Sequence, residues 1–160
     1  MMTSLRQVAG TPYAVIGIVL VLLAITSVTL ETQSNLIPPG TKFAWQVISG
    51  TALFGTMCYQ WWFLRLRWLG KMTRRDLIWH RWSGVAAIAL FVAHAVRAGH
   101  VWMTSVTVLF LLIALTGILN KEVMRYQSRP AYLVWLGLHL SLSVAIVPFI
   151  LVHIWVALAY

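Results

Sequence analysis

AYLVWLGLHLSLSVAIVPFILVHIWVALAY, residues Ala131 to Tyr160, is an apolar run without an acidic residue, lysine or arginine. It exceeds the roughly 20 residues that a transmembrane helix needs. Its two histidines, His139 and His153, are fourteen residues apart. In an α-helix this offset corresponds to about 21 Å of rise and returns to within about 40° of the same face. The stretch therefore predicts a membrane-spanning helix with two imidazoles on one side, one near each membrane surface.

The composition of the chain places it among integral membrane proteins. Of its 160 residues, 61% are hydrophobic and 9% are charged, and the mean hydropathy is +0.84. A soluble domain could not bury so much apolar surface. The net charge of +9 does not indicate a nucleic-acid partner, because the basic residues lie in short loops between apolar spans, where membrane topology explains them. Cys58 is the single cysteine and is expected to be a small buried apolar residue.

Five apolar spans predict an all-α protein, a five-helix transmembrane bundle that forms a single domain over residues 1–160. The first span is longer than the apolar core of a typical signal peptide, so we expect a retained anchor. Thr73 and Asp76 have the spacing of a capping box, which predicts a helix start at Thr73, and Ser128 is a candidate N-cap of the last helix. The predicted spans cover about 11–30, 43–64, 74–98, 102–119 and 130–160.

The distribution of basic residues predicts the orientation of these spans. With the amino terminus in the cytoplasm, ten of the twelve basic residues lie inside, and only Lys42 and Arg97 lie outside. This asymmetry follows the positive-inside rule. We therefore expect a protein of the bacterial inner membrane with a cytoplasmic amino terminus and a periplasmic carboxyl terminus.

The fourteen-residue histidine interval occurs a second time, between His80 and His94 in the third span. The third and fifth spans run in the same direction, so His80 and His139 are expected near the inner surface, and His94 and His153 near the outer one. Two imidazoles at one level can ligate a haem iron axially from both sides. The sequence thus predicts two haem b groups, with His80, His139, His94 and His153 as metal ligands.

Small and apolar residues accompany the histidines on both helices. The residues on the histidine faces are Gly84, Ala87 and Phe91 in the third span, and Ser143, Ile146, Ile150 and Ala157 in the fifth. They would suit a flat macrocycle. Gly50, Gly55 and Gly117 on the second and fourth spans would equally admit a porphyrin or pack helix against helix.

Two arginines adjoin the histidines, and a fifth histidine departs from the pattern. Arg81 and Arg97 are candidate cofactor-binding residues, since a guanidinium can hydrogen-bond a haem propionate. Snorkelling to the lipid headgroups is the alternative for both arginines. His100 lies six residues after His94, about 240° round the helix, and we expect it to be interfacial or to contribute to an outer quinone site.

The paired intervals on two helices resemble those of the transmembrane domain of the ferric reductase and NADPH oxidase superfamily. The likeness extends from about Phe43 to Tyr160. It implies that His80 and His94 are the third-helix ligands, and His139 and His153 the fifth-helix ligands, of two stacked b-type haems. That family typically has a sixth helix and often a flavin and nicotinamide module, whereas five spans and no glycine-rich dinucleotide motif are found here. The cytochrome b of quinol–cytochrome c reductases is a looser likeness.

These features predict a di-haem electron-transfer subunit of a larger membrane oxidoreductase complex rather than a complete enzyme. Electrons would pass between a quinol or a flavoprotein on one side and an acceptor on the other. The basic stretch from Arg65 to Arg75 is a candidate docking surface for the donor, although topology alone also accounts for it. Two other functions stay open: a metal-ion carrier with histidine ligands, and a membrane anchor subunit without haem.

Overall fold

The regular structure of the chain is α-helical throughout the residues that the computed structural model describes, which are 11–30, 37–95, 101–126 and 128–159. This confirms the predicted all-α class. The helices of these ranges are α1 (Pro12–Thr29), α2 (Pro39–Trp68), α3 (Arg74–His94), α4 (Val101–Ile118), α5 (Lys121–Met124) and α6 (Arg129–Ala159).

Three helices in the described part of the chain, α1, α4 and α6, are long and apolar enough to cross a membrane. Their mean hydropathies are 2.2, 2.2 and 2.4, respectively. The 30 residues of α2 and the 21 of α3 have sufficient length, but both helices are more polar. Arg74, Arg75, Asp76 and Arg81, for example, all lie in the first part of α3.

The predicted burial of Cys58 is wrong. This residue of α2 is exposed, because it lies on a side of the helix that the described residues do not cover.

The predicted capping box at the start of α3 is present. The Thr73 hydroxyl accepts a hydrogen bond from the Asp76 backbone N–H, and the Asp76 carboxylate accepts one from the Thr73 backbone N–H at 2.8 Å. Ser128 also acts as predicted, because its hydroxyl accepts a bond from the Ala131 N–H at 3.4 Å. Side-chain oxygens of this kind satisfy backbone donors that the first helical turn leaves without a partner.

A glycine ends α2 and turns the chain towards α3. Gly70 has a φ of +66°, a conformation that costs glycine no steric strain. The Gly70 N–H donates to the Arg67 carbonyl at 3.1 Å, and the Lys71 N–H donates to the Leu66 carbonyl at 3.0 Å. This pair of bonds is a Schellman motif, which satisfies the last carbonyls of α2.

The described residues form two helical hairpins, each within its own compact unit. One unit comprises residues 15–97 and contains α2 and α3; the other comprises residues 1–14 and 98–160 and contains α4 and α6. In the first hairpin (α2 and α3), Trp45 bonds to Ala93 and Gln60 to Ser83, so the helices are antiparallel. In the second hairpin (α4 and α6), the pairs are Trp102 with Phe149 and Trp135 with Thr116. The single-domain organisation stays a prediction.

Helix α5 is a single turn within a segment that the sequence indicates only as a loop. The Asn120 side chain caps it by accepting a bond from the Glu122 N–H at 2.9 Å. Val123 is 2% exposed, and Arg125, with a φ of 45°, ends the turn. One turn is too short for a hydrophobic period, so only its asparagine cap could have indicated it.

A buried hydrogen-bond network joins the first turn of α1 to the start of α5. The Asn120 amide donates to the Tyr13 phenol oxygen at 3.0 Å. The Tyr13 hydroxyl lies 3.2 Å from the Asn120 Oδ1 and 3.4 Å from a Glu122 carboxylate oxygen, both of which can accept its hydrogen. Tyr13 and Asn120 are each 8% exposed, so water does not readily replace either partner.

Replacing Tyr13 by phenylalanine should destabilise the unit that contains α4 and α6. The change removes the partner of a buried amide, which costs about 1 to 3 kcal/mol. Thermal unfolding in detergent should show a lower midpoint for Tyr13→Phe. Tyr59→Phe is the control, because the Tyr59 side chain is 43% exposed and should tolerate the loss of its hydroxyl. Equal midpoints for the two variants would show that the network does not stabilise the protein.

Candidate functional site

His94 lies against α2, where a serine and a glycine accommodate its ring. Its Nδ1 is 3.3 Å from the Ser49 hydroxyl oxygen. That hydroxyl also donates to the Trp45 carbonyl one turn earlier, at 2.7 Å. Gly50 lies beneath the imidazole, since a Cβ at this position would be only 2.8 Å from the His94 Cε1. The ring therefore occupies space that only a glycine leaves open.

His139 has a closely similar environment in the second hairpin. Its Nδ1 is 2.9 Å from the Thr116 hydroxyl oxygen, and that hydroxyl donates to the Leu112 carbonyl at 2.8 Å. A Cβ on Gly117 would lie 3.4 Å from the His139 Cε1. The indole of Trp135 stacks on the imidazole, with ring centroids 6.0 Å apart and an angle of 6° between the planes.

Each hydroxyl contact allows either tautomer of its imidazole, because the Nδ1 can donate to the hydroxyl oxygen or accept from it. A serine or threonine hydroxyl has one hydrogen, and Ser49 and Thr116 each also lie within hydrogen-bond distance of a backbone carbonyl that can accept it. When that hydrogen goes to the carbonyl, the hydroxyl oxygen accepts from the Nδ1–H and the lone pair of the ring is on Nε2. A histidine that ligates a metal through Nε2 has this tautomer and donates its other N–H in the same way.

Trp45 and Trp135 hold the backbone at these two positions. The Trp45 indole N–H donates to the carbonyl of Ala93, the residue before His94, at 2.8 Å. The Trp135 indole N–H donates to the Thr116 carbonyl, also at 2.8 Å. Each hairpin thus has a cross-helix indole bond within one residue of its hydroxyl–imidazole contact.

His80 lies at the other end of the histidine interval of α3 and also faces α2. Its ring meets Phe63 edge to face, with centroids 5.4 Å apart. The Gln60 amide donates to the His80 carbonyl at 2.9 Å and to the Ser83 hydroxyl at 2.8 Å. A Cβ on Gly84 would lie 3.6 Å from the same amide nitrogen. This part of α3 is therefore closely packed on α2.

The other predicted site residues are half-buried or lie outside the described part of the chain. His153 is half-buried in α6, and Arg81 is half-buried in the second turn of α3. Arg97 and His100 lie outside the described residues. Among the described residues, no three histidine, cysteine, aspartate or glutamate side chains form a group that could hold a metal ion.

The small and apolar residues between the histidines are largely buried. The exposed fractions are 5% for Ala87 and Phe91, 1% for Ile146 and 8% for Ile150. Gly50 and Gly117, which could have admitted a porphyrin, each lie against an imidazole, whereas a Cβ on Gly55 would have nothing within 4 Å. In the described structure, Gly50 and Gly117 therefore make room for histidine rings.

The hydroxyl groups of the site were not predicted from the sequence. In both hairpins a hydroxyl residue directly precedes the glycine, as Ser49-Gly50 and Thr116-Gly117. This repeated dipeptide is visible in the sequence. Its meaning depends on which helix packs against which, and the sequence does not state that.

Comparisons with known proteins find no matching family model, no matching curated protein and no matching solved structure. The likeness to the ferric reductase and NADPH oxidase superfamily therefore rests on the four histidines and their intervals. It enters the functional argument below as a proposal.

Replacing Gly50 by alanine should displace the His94 ring and break its bond to Ser49. The new Cβ would lie 2.8 Å from the His94 Cε1, closer than side chains tolerate, and such overpacking costs about 1 to 3 kcal/mol. Thermal unfolding of Gly50→Ala should show the loss of stability.

Gly117→Ala and Gly55→Ala provide graded controls for that substitution. The alanine Cβ would be 3.4 Å from the His139 Cε1 in the first variant and would contact nothing within 4 Å in the second. We therefore expect a small effect at Gly117 and none, or a slight stabilisation, at Gly55. Equal stability of Gly50→Ala and Gly55→Ala would contradict the packing of His94 on Gly50.

Proposed function

We propose that this chain is a di-haem b-type cytochrome subunit that carries electrons across a membrane. The main support is the hydroxyl–imidazole bond in each hairpin. If His94 and His139 ligate a metal through Nε2, the Nδ1–H of each ring would donate to that hydroxyl, as the second N–H of a metal-ligating histidine commonly does. Each of these residues also has a second histidine fourteen residues away on its own helix, namely His80 and His153.

The proposed ligand pairs follow from the predicted heights of the histidines. His80 and His139 would bind an inner haem, and His94 and His153 an outer haem. Each pair would take one imidazole from α3 and one from α6. The bound haem iron would supply the one-electron chemistry, and the protein would supply ligands, spacing and a dry environment.

We propose that α2 and α3 cross the membrane together with α1, α4 and α6. Their 30 and 21 residues correspond to rises of about 45 Å and 32 Å, each enough for a hydrocarbon core of about 30 Å. Large apolar side chains on α2 are exposed, as expected of a surface that faces lipid. They include Phe43 at 69%, Ile48 at 66%, Trp62 at 49% and Val47 at 43%.

The Tyr13–Asn120 bond limits the possible topologies. In a membrane this bond would keep the start of α1 and the end of α4 on the same side, so an even number of crossings would separate them. With α1 and α4 spanning, either both α2 and α3 cross or neither does. The basic turn between α2 and α3 favours crossing, because it then lies inside, where the positive-inside rule predicts it.

The charged residues have proposed roles at the two membrane surfaces. Arg81 and Arg97 would each pair with a haem propionate, one at the inner level and one at the outer level. The exposed basic residues between Arg65 and Arg75 would face the electron donor, either a quinol or a flavoprotein. The proposed partners are the other subunits of a membrane redox complex, and co-purification would identify them.

The topology can be tested with two single-cysteine variants in a Cys58→Ala background. Lys42→Cys, near the start of α2, should react with a membrane-impermeant maleimide in intact spheroplasts. Lys71→Cys, between α2 and α3, should react only after the membrane is permeabilised. Labelling of both from the outside would mean that α2 and α3 do not cross.

A membrane anchor without haem is the second candidate function. The observation that favours it is the close packing of His94 and His139 within their own hairpins, against Gly50 and Gly117. Buried histidines with hydrogen-bond partners also stabilise helix pairs that have no cofactor. Such a protein would fold and would be colourless.

The haem content of the purified protein separates the two functions. Protein from haem-replete cells should show the dithionite-reduced spectrum of low-spin b-type haem, with two haems per chain. His94→Ala and His139→Ala should each lose one haem, since each removes a ligand of a different site. His100→Ala is the matched control and should retain both.

Double variants test the proposed pairing. His94→Ala with His153→Ala should still bind one haem, because both residues belong to the outer site. His94→Ala with His139→Ala should bind none. A colourless wild-type protein would refute the cytochrome function, and one remaining haem in the second double variant would refute the pairing.

A further inference from the structure

We propose that Ser49 and Thr116 are positioning residues that set the reduction potentials of the two haems separately. Ser49 would act through His94 on the outer haem, and Thr116 through His139 on the inner haem. This inference rests on the proposed function and extends it to two residues that are not ligands.

Ser49 and Thr116 each contact an imidazole Nδ1 of the neighbouring helix and a backbone carbonyl of their own helix. With Nε2 as the haem ligand, the Nδ1 would carry the proton and donate it to the hydroxyl oxygen, whose own hydrogen goes to the carbonyl. An accepted Nδ1–H bond fixes the ring orientation and makes Nε2 a more basic ligand. A more basic ligand stabilises the ferric over the ferrous state, so each hydroxyl should lower the potential of its haem.

The two sites should differ in strength. The oxygen–nitrogen distance is 2.9 Å for Thr116 and 3.3 Å for Ser49, and a shorter bond polarises the imidazole more. Trp135 also stacks on His139, and its indole N–H donates to the Thr116 backbone carbonyl, which a side-chain substitution leaves in the chain. The loss of the Thr116 hydroxyl should therefore change the potential without displacing the ligand.

The surroundings of Ser49 argue for a specific role of its hydroxyl. Its side chain is 5% exposed, so water cannot readily replace it as acceptor. It precedes Gly50, which leaves the ring the space it needs. The same sequence of hydroxyl residue and glycine recurs at Thr116 and Gly117, which indicates one arrangement used twice.

The test is a redox titration of the purified holoproteins Ser49→Ala and Thr116→Val. In each variant, one haem potential should move to a more positive value while the other stays at its wild-type position. The shift should be larger for Thr116→Val. In the double variant both potentials should rise.

Two hydroxyl residues on the same helices provide matched controls. Thr56 on α2 and Ser105 on α4 donate to backbone carbonyls at 2.7 and 2.8 Å, as Ser49 and Thr116 do. Thr56→Val and Ser105→Ala should leave both potentials unchanged. Thr116→Ser retains the hydroxyl and should restore the wild-type value, including where Thr116→Val lowers haem retention.

Nitrogen-15 spectra of histidine-labelled protein report the tautomer without relying on haem. In apoprotein, the proton of His139 should be on Nδ1, and Thr116→Val should move it to Nε2. If the Ser49→Ala and Thr116→Val proteins bind both haems and their reduction potentials equal those of the wild type, this inference is overturned and the cytochrome function stands. A wild-type protein that binds no haem would overturn the cytochrome function, and the inference with it.

Discussion

A half-buried imidazole needs a hydrogen-bond partner, and the packing of both hairpins supplies one. A polar nitrogen in an apolar interior without a partner loses its hydrogen bond to water and receives nothing in exchange. Ser49 and Thr116 provide a hydroxyl from the neighbouring helix, and each hydroxyl also bonds to a carbonyl one turn earlier. The helices can approach closely at these points because the next residue in each case is a glycine.

This arrangement connects helix packing with the proposed chemistry. A hydroxyl that accepts from Nδ1 stabilises the hairpin and also directs the lone pair to Nε2. The residues that hold α2 to α3, and α4 to α6, would therefore be the ones that prepare two of the four proposed ligands.

Much of the helical framework can be predicted from the sequence, since it depends on local signals. Apolar runs, the Thr73–Asp76 capping box and Ser128 indicate helices close to the observed bounds. The one-turn helix α5 was not predicted, because a hydrophobic periodicity cannot be recognised over its four residues. Arg97 and His100 lie outside the described residues, so their predicted roles stay predictions.

The candidate site was only partly predictable, for a different physical reason. The equal intervals of His80–His94 and His139–His153 are visible along the chain, because they follow from the pitch of a helix. The hydroxyl groups that contact the imidazole rings lie on other helices. Ser49 is 45 residues from His94 along the chain, and Thr116 is 23 residues from His139. Contacts of this kind depend on tertiary packing, which a single sequence does not specify.

The Tyr13–Asn120 bond also has a consequence for biosynthesis. Its two residues are 107 positions apart, so Tyr13 leaves the ribosome long before Asn120 is made. During that interval the first turn of α1 must reside at the membrane without its buried partner. The bond can close only once α4 has emerged, so the start of α1 and the end of α4 are joined after α2 and α3 have been made.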